Sequence, residues 1–200
     1  MASEPTVCVV DDDPDVRDSL SLLLARRYRV LTFESARAFL EAGIKARDTC
    51  VLADIRMPEM DGLALQREIK RTIPGMPIII MTGHGDVPMA VQAMKEGAVE
   101  FLEKPFERAV LFGALENAFA QGAAGATTDR TADAVARKAL TDREKDVFDL
   151  LVEGHQNKVI AHKLGISTRT VEVHRARVMD KLAARSLADL VRLSLGRGGK

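Results

Sequence analysis

Short apolar runs alternate with longer helical patterns from residue 6 to about residue 120. Several of these runs are almost continuously apolar, which is typical of parallel strands with both faces covered. The regular alternation indicates an open, doubly wound α/β sheet of five parallel strands. The predicted strands are 6–10, 29–33, 50–53, 77–81 and 99–102, and the predicted helices lie near 15–26, 35–43, 62–72, 87–96 and 106–120.

The pattern changes after Leu140, where the strand signal ends. Residues 121–138 are small and polar, and we interpret them as a linker that its alanines can make partly helical. The sequence therefore predicts a first domain at 1–120, a linker at 121–138 and an all-α domain at 139–200. The four helices predicted for the last domain lie near 142–153, 157–164, 168–183 and 186–195.

Apolar residues make up 46% and charged residues 29% of the chain, as in ordinary globular proteins. No apolar run approaches the length of about 18 residues that spans a bilayer. The start of the chain lacks a basic segment followed by a long apolar core, so we expect a cytoplasmic protein without membrane contact. Residues 1–138 carry a net charge of −4 and residues 139–200 one of +4, so the second part suits a polyanion.

Polar side chains follow four of the five predicted strands. Because the carboxyl ends of parallel strands share one edge of a sheet, these side chains should converge there, where such folds bind ligands. They are Asp11, Asp12 and Asp13 after the first strand, Asp54 after the third, Thr82 after the fourth and Lys104 after the fifth.

Several carboxylates at one edge repel each other, and a hard divalent cation relieves that repulsion. Mg²⁺ prefers one or two protein carboxylates together with water and phosphate oxygens. A site of this composition can orient a phosphoryl group for in-line attack by Asp54 while Lys104 offsets its charge. Asp13 is the weaker member of the set, since it precedes Pro14 and is well placed to cap the first helix.

Two other chemistries fit parts of the acidic segment. A haloacid-dehalogenase type phosphatase begins D-x-D-x-T, but Asp15 stands where that motif requires threonine. A calcium-binding loop would use Asp11, Asp13 and Asp15, but Val16 replaces its glycine and Leu22 its closing glutamate. Neither alternative matches the sequence.

The segments VVDDD, DIRMPEMDG at 54–62, MTGHGDVPMAV at 81–91 and FLEKPF at 101–106 resemble response-regulator receiver domains of the FixJ type. This resemblance, which covers nearly all of residues 5–119, implies a flavodoxin-like sheet and a phosphoryl group accepted on Asp54. It implies a Mg²⁺ site, a switch pair and a phosphoryl contact. The residues so implied are Asp12, Asp54 and the backbone carbonyl of Arg56 for the metal, Asp11 through water, Thr82 and Phe101 for the switch, and Lys104 for the phosphoryl group.

One departure from that family lies before the second strand. Receivers of this kind usually have a glycine there, where the first helix ends in left-handed conformation. Arg27 or Tyr28 occupies that position here. We expect the first helix to end differently and the acidic pocket to be unaffected.

The segment KVIAHKLGISTRTVEVHRARVMDKL has the layout of a helix-turn-helix. Gly165 breaks the first helix, and Ser167 or Thr168 caps the second. The first helix should bury Val159, Ile160 and Leu164, and the second Val171, His174, Val178 and Leu182. A plain helical hairpin with a charged outer face has the same spacing, so spacing alone leaves both interpretations open.

Residues 139–195 resemble the four-helix DNA-binding domain of the LuxR/FixJ/NarL group, which favours DNA binding. The exposed face of the second helix carries arginine, glutamate and valine, which suit a major groove. The resemblance implies that Asn157 and Lys158 approach phosphates. The residues it implies at or near the bases, with Thr168 at the start of the helix, are Arg169, Glu172, Val173, Arg175 and Arg177.

Together these features predict a response-regulator transcription factor. A sensor histidine kinase would phosphorylate Asp54, and the phosphorylated chains would pair and bind double-stranded operator DNA. Contact with RNA polymerase would carry any activation, since the sequence has no ATPase motif. We expect no enzyme activity beyond slow self-dephosphorylation. A receiver that only dimerises is disfavoured, because Asp12, Asp54 and Lys104 are all present.

Overall fold

The computed structural model of the protein describes residues 4–45, 48–83, 87–124 and 140–195. The chain forms two compact units. One lies within Met1–His84 and Glu96–Ala126, and the other within Gly85–Lys95 and Thr127–Lys200.

The first unit is built on a five-stranded parallel sheet with the order β2-β1-β3-β4-β5. Its strands are β1 (Thr6–Val10), β2 (Arg29–Phe33), β3 (Thr49–Asp54), β4 (Ile78–Thr82) and β5 (Glu100–Glu103). Strands β3 and β4 are buried along their whole length, as their apolar sequences predict. The doubly wound α/β fold is therefore confirmed, and each strand begins and ends within one residue of its predicted bounds.

Five helices connect and follow these strands: α1 (Pro14–Leu24), α2 (Ala36–Glu41), α3 (Gly62–Thr72), α4 (Val87–Lys95) and α5 (Arg108–Ala124). By its contacts α4 groups with the second unit. The Asp13 side chain caps α1 by accepting a hydrogen bond from the Asp15 N–H, and Pro14 takes the first helical position. The Asp61 side chain caps α3 in the same way through the Ala64 N–H.

The turn between α1 and β2 lies within the described residues and contains no residue in left-handed conformation, although such a residue is usual in the family that the sequence resembles. Helix α1 ends at Ala25 with a φ of −57°, and none of the described residues 25–28 has a positive φ. Tyr28 instead packs into the core, 5.5 Å from the ring of Phe119 and 6.2 Å from that of Phe112. The Arg27 guanidinium lies over the Phe112 ring at 4.9 Å. Aromatic packing against α5 thus fixes a turn that a glycine would otherwise make.

The second unit contains four helices near the C-terminal end of the chain: α6 (Asp142–Val152), α7 (Asn157–Leu164), α8 (Thr168–Lys181) and α9 (Leu187–Leu195). Ser167, and not Thr168, caps α8, because its side chain accepts from the Thr170 N–H. Gly165 ends α7 in left-handed conformation with a φ of 65°. The all-α prediction for this part of the chain is confirmed.

Two details of the sequence prediction need correction. Val159 is 42% exposed, whereas Ile160 is buried as predicted and Ala161 is buried as well. At about 100° per residue Ile160, Leu164 and Ala161 lie within one arc of the helix, and Val159 lies outside that arc. Helix α5 runs to Ala124, four residues into the predicted linker, where alanines favour helix. The rest of that linker, 125–138, lies outside the described residues. No helix in the described segments is both long and apolar enough to cross a membrane.

Two positions with left-handed backbone predict opposite changes in stability. Gly165→Ala should destabilise the helical unit by about 1 kcal/mol, because alanine is strained at a φ of 65°. Ala183 already has a φ of 50°, so Ala183→Gly should stabilise the unit by up to about 1 kcal/mol. Hydrogen exchange of peptides from α7 and α8 in the full chain measures both. Two changes of the same sign would contradict the assigned backbone conformations.

Candidate functional site

At the carboxyl edge of the sheet, Lys104 joins the ends of three strands. Its ammonium donates to Asp11 Oδ2 at 2.8 Å and to Asp54 Oδ1 at 2.5 Å. Its backbone N–H donates to the Thr82 carbonyl at 2.8 Å. The structure therefore brings together Asp11, Asp54, Thr82 and Lys104, which the sequence predicts at this edge.

Asp54 closes β3 and is only 8% exposed. Its Oδ1 is bonded to Lys104, and its Oδ2 accepts from the Arg56 N–H at 2.6 Å. Burial raises the pKa of the Asp54 carboxyl, and the hydrogen bonds from Lys104 and from the Arg56 N–H offset part of that rise. A carboxylate held between two donors, with part of its side chain still accessible, is suited to act as a nucleophile.

Lys104 is a partly buried cation between two carboxylates, and its side chain is 26% exposed. Burial alone would lower the pKa of its ammonium, but the hydrogen bonds from the ammonium to Asp11 and Asp54 outweigh that and raise it. Lys104 is therefore positively charged at neutral pH. Its charge compensates two acidic side chains in a site with little access to water.

Asp11 is 1% exposed, and both its carboxylate oxygens are bonded. Oδ2 accepts from Lys104, and Oδ1 accepts from the Asp13 N–H at 2.9 Å. The Arg17 guanidinium donates to the Asp11 backbone carbonyl at 2.7 Å. Arg17 is a residue of this site that the sequence analysis missed; an arginine on the first turns of α1 was its one signal.

Asp12 and Asp13 differ from Asp11 in position. Both are exposed, and Asp13 serves as the cap of α1. Asp12 is therefore the accessible carboxylate directly beside the buried Asp11.

The loop from β3 to α3 is held very close to the nucleophile. The Gly62 N–H donates to the Ile55 carbonyl at 3.0 Å. A Cβ added to Gly62 would collide with the Asp54 backbone oxygen and lie 2.9 Å from Ile55 Cα. Within this loop Glu59 has a φ of 63°. Only glycine fits at residue 62, a requirement that the sequence analysis did not identify, although the pair Asp61-Gly62 at a helix start was visible.

The two residues predicted as a switch pair are both buried. Thr82 is 1% exposed, and its hydroxyl donates to the Gly83 carbonyl at 3.2 Å. Phe101 lies on β5 and is 8% exposed. Thr82 is tied to the site through the hydrogen bond from the Lys104 N–H to its carbonyl.

The donor chemistry of the site suits a hard cation. Among the described residues, no three His, Cys, Asp or Glu side chains gather as a metal-binding group. Mg²⁺ does not need three, because it usually takes one or two carboxylates and completes its shell with water and phosphate oxygens. Asp11 and Asp54 share one ammonium, and Asp12 is exposed beside them, so a suitable pair of carboxylates is present.

A separate candidate site lies on the helical unit. The face of α8 opposite to the buried Val171 and Val178 is polar, basic and exposed. Val173 lies within it and is 45% exposed. The residues predicted to approach DNA that are exposed are Lys158, Thr168, Arg169, Glu172, Val173 and Arg177, while Asn157 and Arg175 are half-buried.

Family models match both parts of the chain. Residues 7–116 match the response regulator receiver domain, and residues 138–194 match the luxR family of bacterial regulatory proteins. The chain is 45% identical over 201 residues to the transcriptional regulatory protein FixJ of Bradyrhizobium diazoefficiens, covering 99% of this chain and 98% of the relative. It is 47% identical to FixJ of Rhizobium meliloti over 196 residues, covering 96% of each.

Solved structures of FixJ are also similar to this chain. Full-length FixJ from B. japonicum is 44% identical with a TM-score of 0.57, and the match covers 98% of both chains. A structure of FixJ-N is also 44% identical, with a TM-score of 0.55, and matches 59% of this chain and 95% of the other.

Proposed function

Because the chain belongs to the FixJ-like response regulators, which join a receiver to a luxR-type DNA-binding domain, we propose that phosphorylation of Asp54 controls its binding to DNA. It is a transcriptional regulator of a two-component system. The observation that carries the proposal is the ammonium of Lys104 held between Asp11 and Asp54. In that arrangement the Asp54 carboxylate is the nucleophile, and the Lys104 ammonium beside it compensates its charge.

The phosphoryl group comes from the phosphohistidine of a sensor histidine kinase. An Asp54 carboxylate oxygen attacks phosphorus, the new O–P bond forms as the N–P bond to histidine breaks, and the leaving imidazole takes up a proton. Lys104 moves from the free carboxylate to a phosphoryl oxygen. Asp12, Asp54 and the Arg56 carbonyl would hold Mg²⁺, with Asp11 acting through water, and the ion would neutralise phosphate charge.

Phosphorylation changes the partners of the residues around Asp54. A phosphoryl oxygen competes for Lys104 and for the Thr82 hydroxyl, whose present acceptor is the Gly83 carbonyl. Phe101, already buried, adjusts to the new position of Thr82. Two phosphorylated chains then pair in the cytoplasm on half-sites about 10 base pairs apart and contact RNA polymerase. Slow hydrolysis of the aspartyl phosphate returns the chain to its first state.

The direct test is intact mass after incubation with a small phosphodonor. One phosphoryl adduct per chain should appear, because the site offers one accessible carboxylate between two donors. The adduct should form with Mg²⁺ and be absent with a chelator, because the ion would neutralise phosphate charge. Labelling of equal extent without a divalent cation would contradict the proposed metal.

Arg169 and Lys158 should differ in what their loss changes. Arg169→Ala should cost about 1–3 kcal/mol and relax the preference at one base pair, since an arginine that reads a base discriminates there. Lys158→Ala should weaken binding to all sequences alike, since a phosphate contact carries no sequence information. It should also reduce the slope of log affinity against log salt concentration by about one. Titrations over salt and over single base changes separate the two. Identical behaviour of both variants would refute the assignment.

A further inference from the structure

An ion pair between the buried Glu144 and the exposed Lys181 links the first turn of α6 to the last residue of α8. Glu144 is 2% exposed, and its Oε2 accepts from the Lys181 ammonium at 2.7 Å. The same oxygen accepts from the Thr141 N–H at 2.7 Å, which completes the capping box of α6. A capping glutamate needs only the contact with Thr141. The bond to Lys181 connects two different helices.

The Glu144 carboxyl is ionised at physiological pH. The hydrogen bond from Lys181, followed by that from the Thr141 N–H, lowers the pKa of Glu144 to about 2. A depressed carboxyl pKa contributes stability that is complete above the ordinary value of 4.5 and is lost as the pH falls through about 2. At neutral pH the Glu144 carboxylate is therefore ionised where it accepts from Lys181.

The geometry of the pair indicates its function. Burial of the Glu144 carboxylate costs hydration energy that offsets much of its attraction to Lys181, so the pair adds little net stability but can select one arrangement of the two helices. Other ion pairs of this unit, Asp142–Lys145 and Asp189–Arg192, join residues three apart in one helix and cannot orient one helix against another.

We propose that Glu144 and Lys181 are a positioning pair for DNA recognition, which fixes the tilt of α8 so that its exposed face meets the base pairs in one register. The inference rests on the proposed role of α8 in reading DNA. Val171 and Val178 hold the middle of α8 in the core, and the ion pair holds its C-terminal end.

The distances along α8 are large enough for this to matter. When α8 tilts about its buried stretch between Val171 and Val178, Arg169 lies about five residues, or about 8 Å, from the pivot. A tilt of about 7° then moves the Arg169 end by about 1 Å, and recognition geometry tolerates roughly 0.5 Å. Loss of the pair should therefore reduce discrimination between sequences more than it reduces attraction to phosphates.

The experiment uses the full chain treated with a phosphodonor. The specific probe is a duplex that the wild type selects from a random pool, and the reference is a duplex of the same composition with shuffled sequence. Glu144→Gln removes the charge but retains an acceptor for the capping box. Asp142→Asn, in the same turn but exposed, is the matched control. Circular dichroism melts establish that each variant is folded at the temperature of titration.

Glu144→Gln should lower the preference for the selected duplex over the shuffled one about tenfold, with affinity for the shuffled duplex within about twofold of wild type. Asp142→Asn should leave both unchanged. Adding Lys181→Met to Glu144→Gln should lower the preference no further, because the two residues act as one unit.

Three results would overturn the inference. An unchanged preference in folded Glu144→Gln would show that the pair does not position α8. An equal loss of affinity for both duplexes would show a role in stability alone. Failure of the wild type to select any sequence would contradict the proposed function as well as the inference. The first two results contradict the inference alone, so the two kinds of failure can be distinguished.

Discussion

Asp54→Asn should abolish phosphorylation by a small donor and, with it, any increase in DNA affinity. The amide lacks the anionic oxygen that attacks phosphorus, yet it is nearly the same size and can still accept from the Arg56 N–H. Lys104 keeps its bond to Asp11 in this variant, so the fold should persist. Intact mass measures the adduct, and fluorescence anisotropy with a labelled duplex measures binding.

Asp13→Asn is the matched control for that change. It removes one carboxylate from the same edge of the sheet, but Asp13 is exposed and caps α1, a task that asparagine performs equally well. This variant should be labelled like the wild type. Undiminished labelling of Asp54→Asn, or loss of labelling in Asp13→Asn, would place the phosphoryl group on another residue.

Gly62→Ala adds one methyl group and should strongly destabilise the receiver. Its Cβ would overlap the Asp54 backbone oxygen, so the end of β3 must move, and the hydrogen bond from the Arg56 N–H to Asp54 moves with it. We expect a loss of about 3 kcal/mol in the free energy of unfolding, as for other overpacked sites, and a strongly reduced rate of labelling.

Gly113→Ala adds the same methyl group within α5, where no atom outside the adjacent backbone of that helix lies within 4 Å of the new Cβ. Because alanine favours the helix more than glycine does, this change should raise the free energy of unfolding by about 0.5–1 kcal/mol. Hydrogen exchange across β3 and the rate of labelling compare the two variants. Equal stability and equal labelling of Gly62→Ala and Gly113→Ala would contradict the close approach at Gly62.

The fold and the convergence of the acidic site were accessible from the sequence because both depend on pattern. Almost continuous apolar runs fix the strands to within one residue, and parallel topology then brings Asp11, Asp54 and Lys104 to one edge. Val159 was placed wrongly, since the buried arc of α7 is centred on Ile160 and Ala161 and leaves Val159 outside it.

Contacts that depend on exact backbone approach were not accessible. The bond from Arg17 to the Asp11 carbonyl requires the path of α1, and the role of Gly62 requires the separation of two backbones. The pairing of Glu144 with Lys181 joins residues 37 positions apart. The spacing of Thr141 and Glu144 is that of a capping box, but nothing in the sequence pairs Glu144 with Lys181, and only the packing of α6 against α8 brings them together.

The central claim, that phosphoryl transfer to Asp54 controls DNA binding, is tested most directly by one titration. A labelled duplex selected by the protein is titrated at a single salt concentration with three samples: untreated wild type, wild type treated with phosphodonor and Mg²⁺, and Asp54→Asn treated in the same way. We predict that the treated wild type binds more tightly than the other two and sediments as a dimer, while the other two behave alike. Equal affinity of all three samples, with the phosphoryl adduct present on the wild type, would contradict the claim.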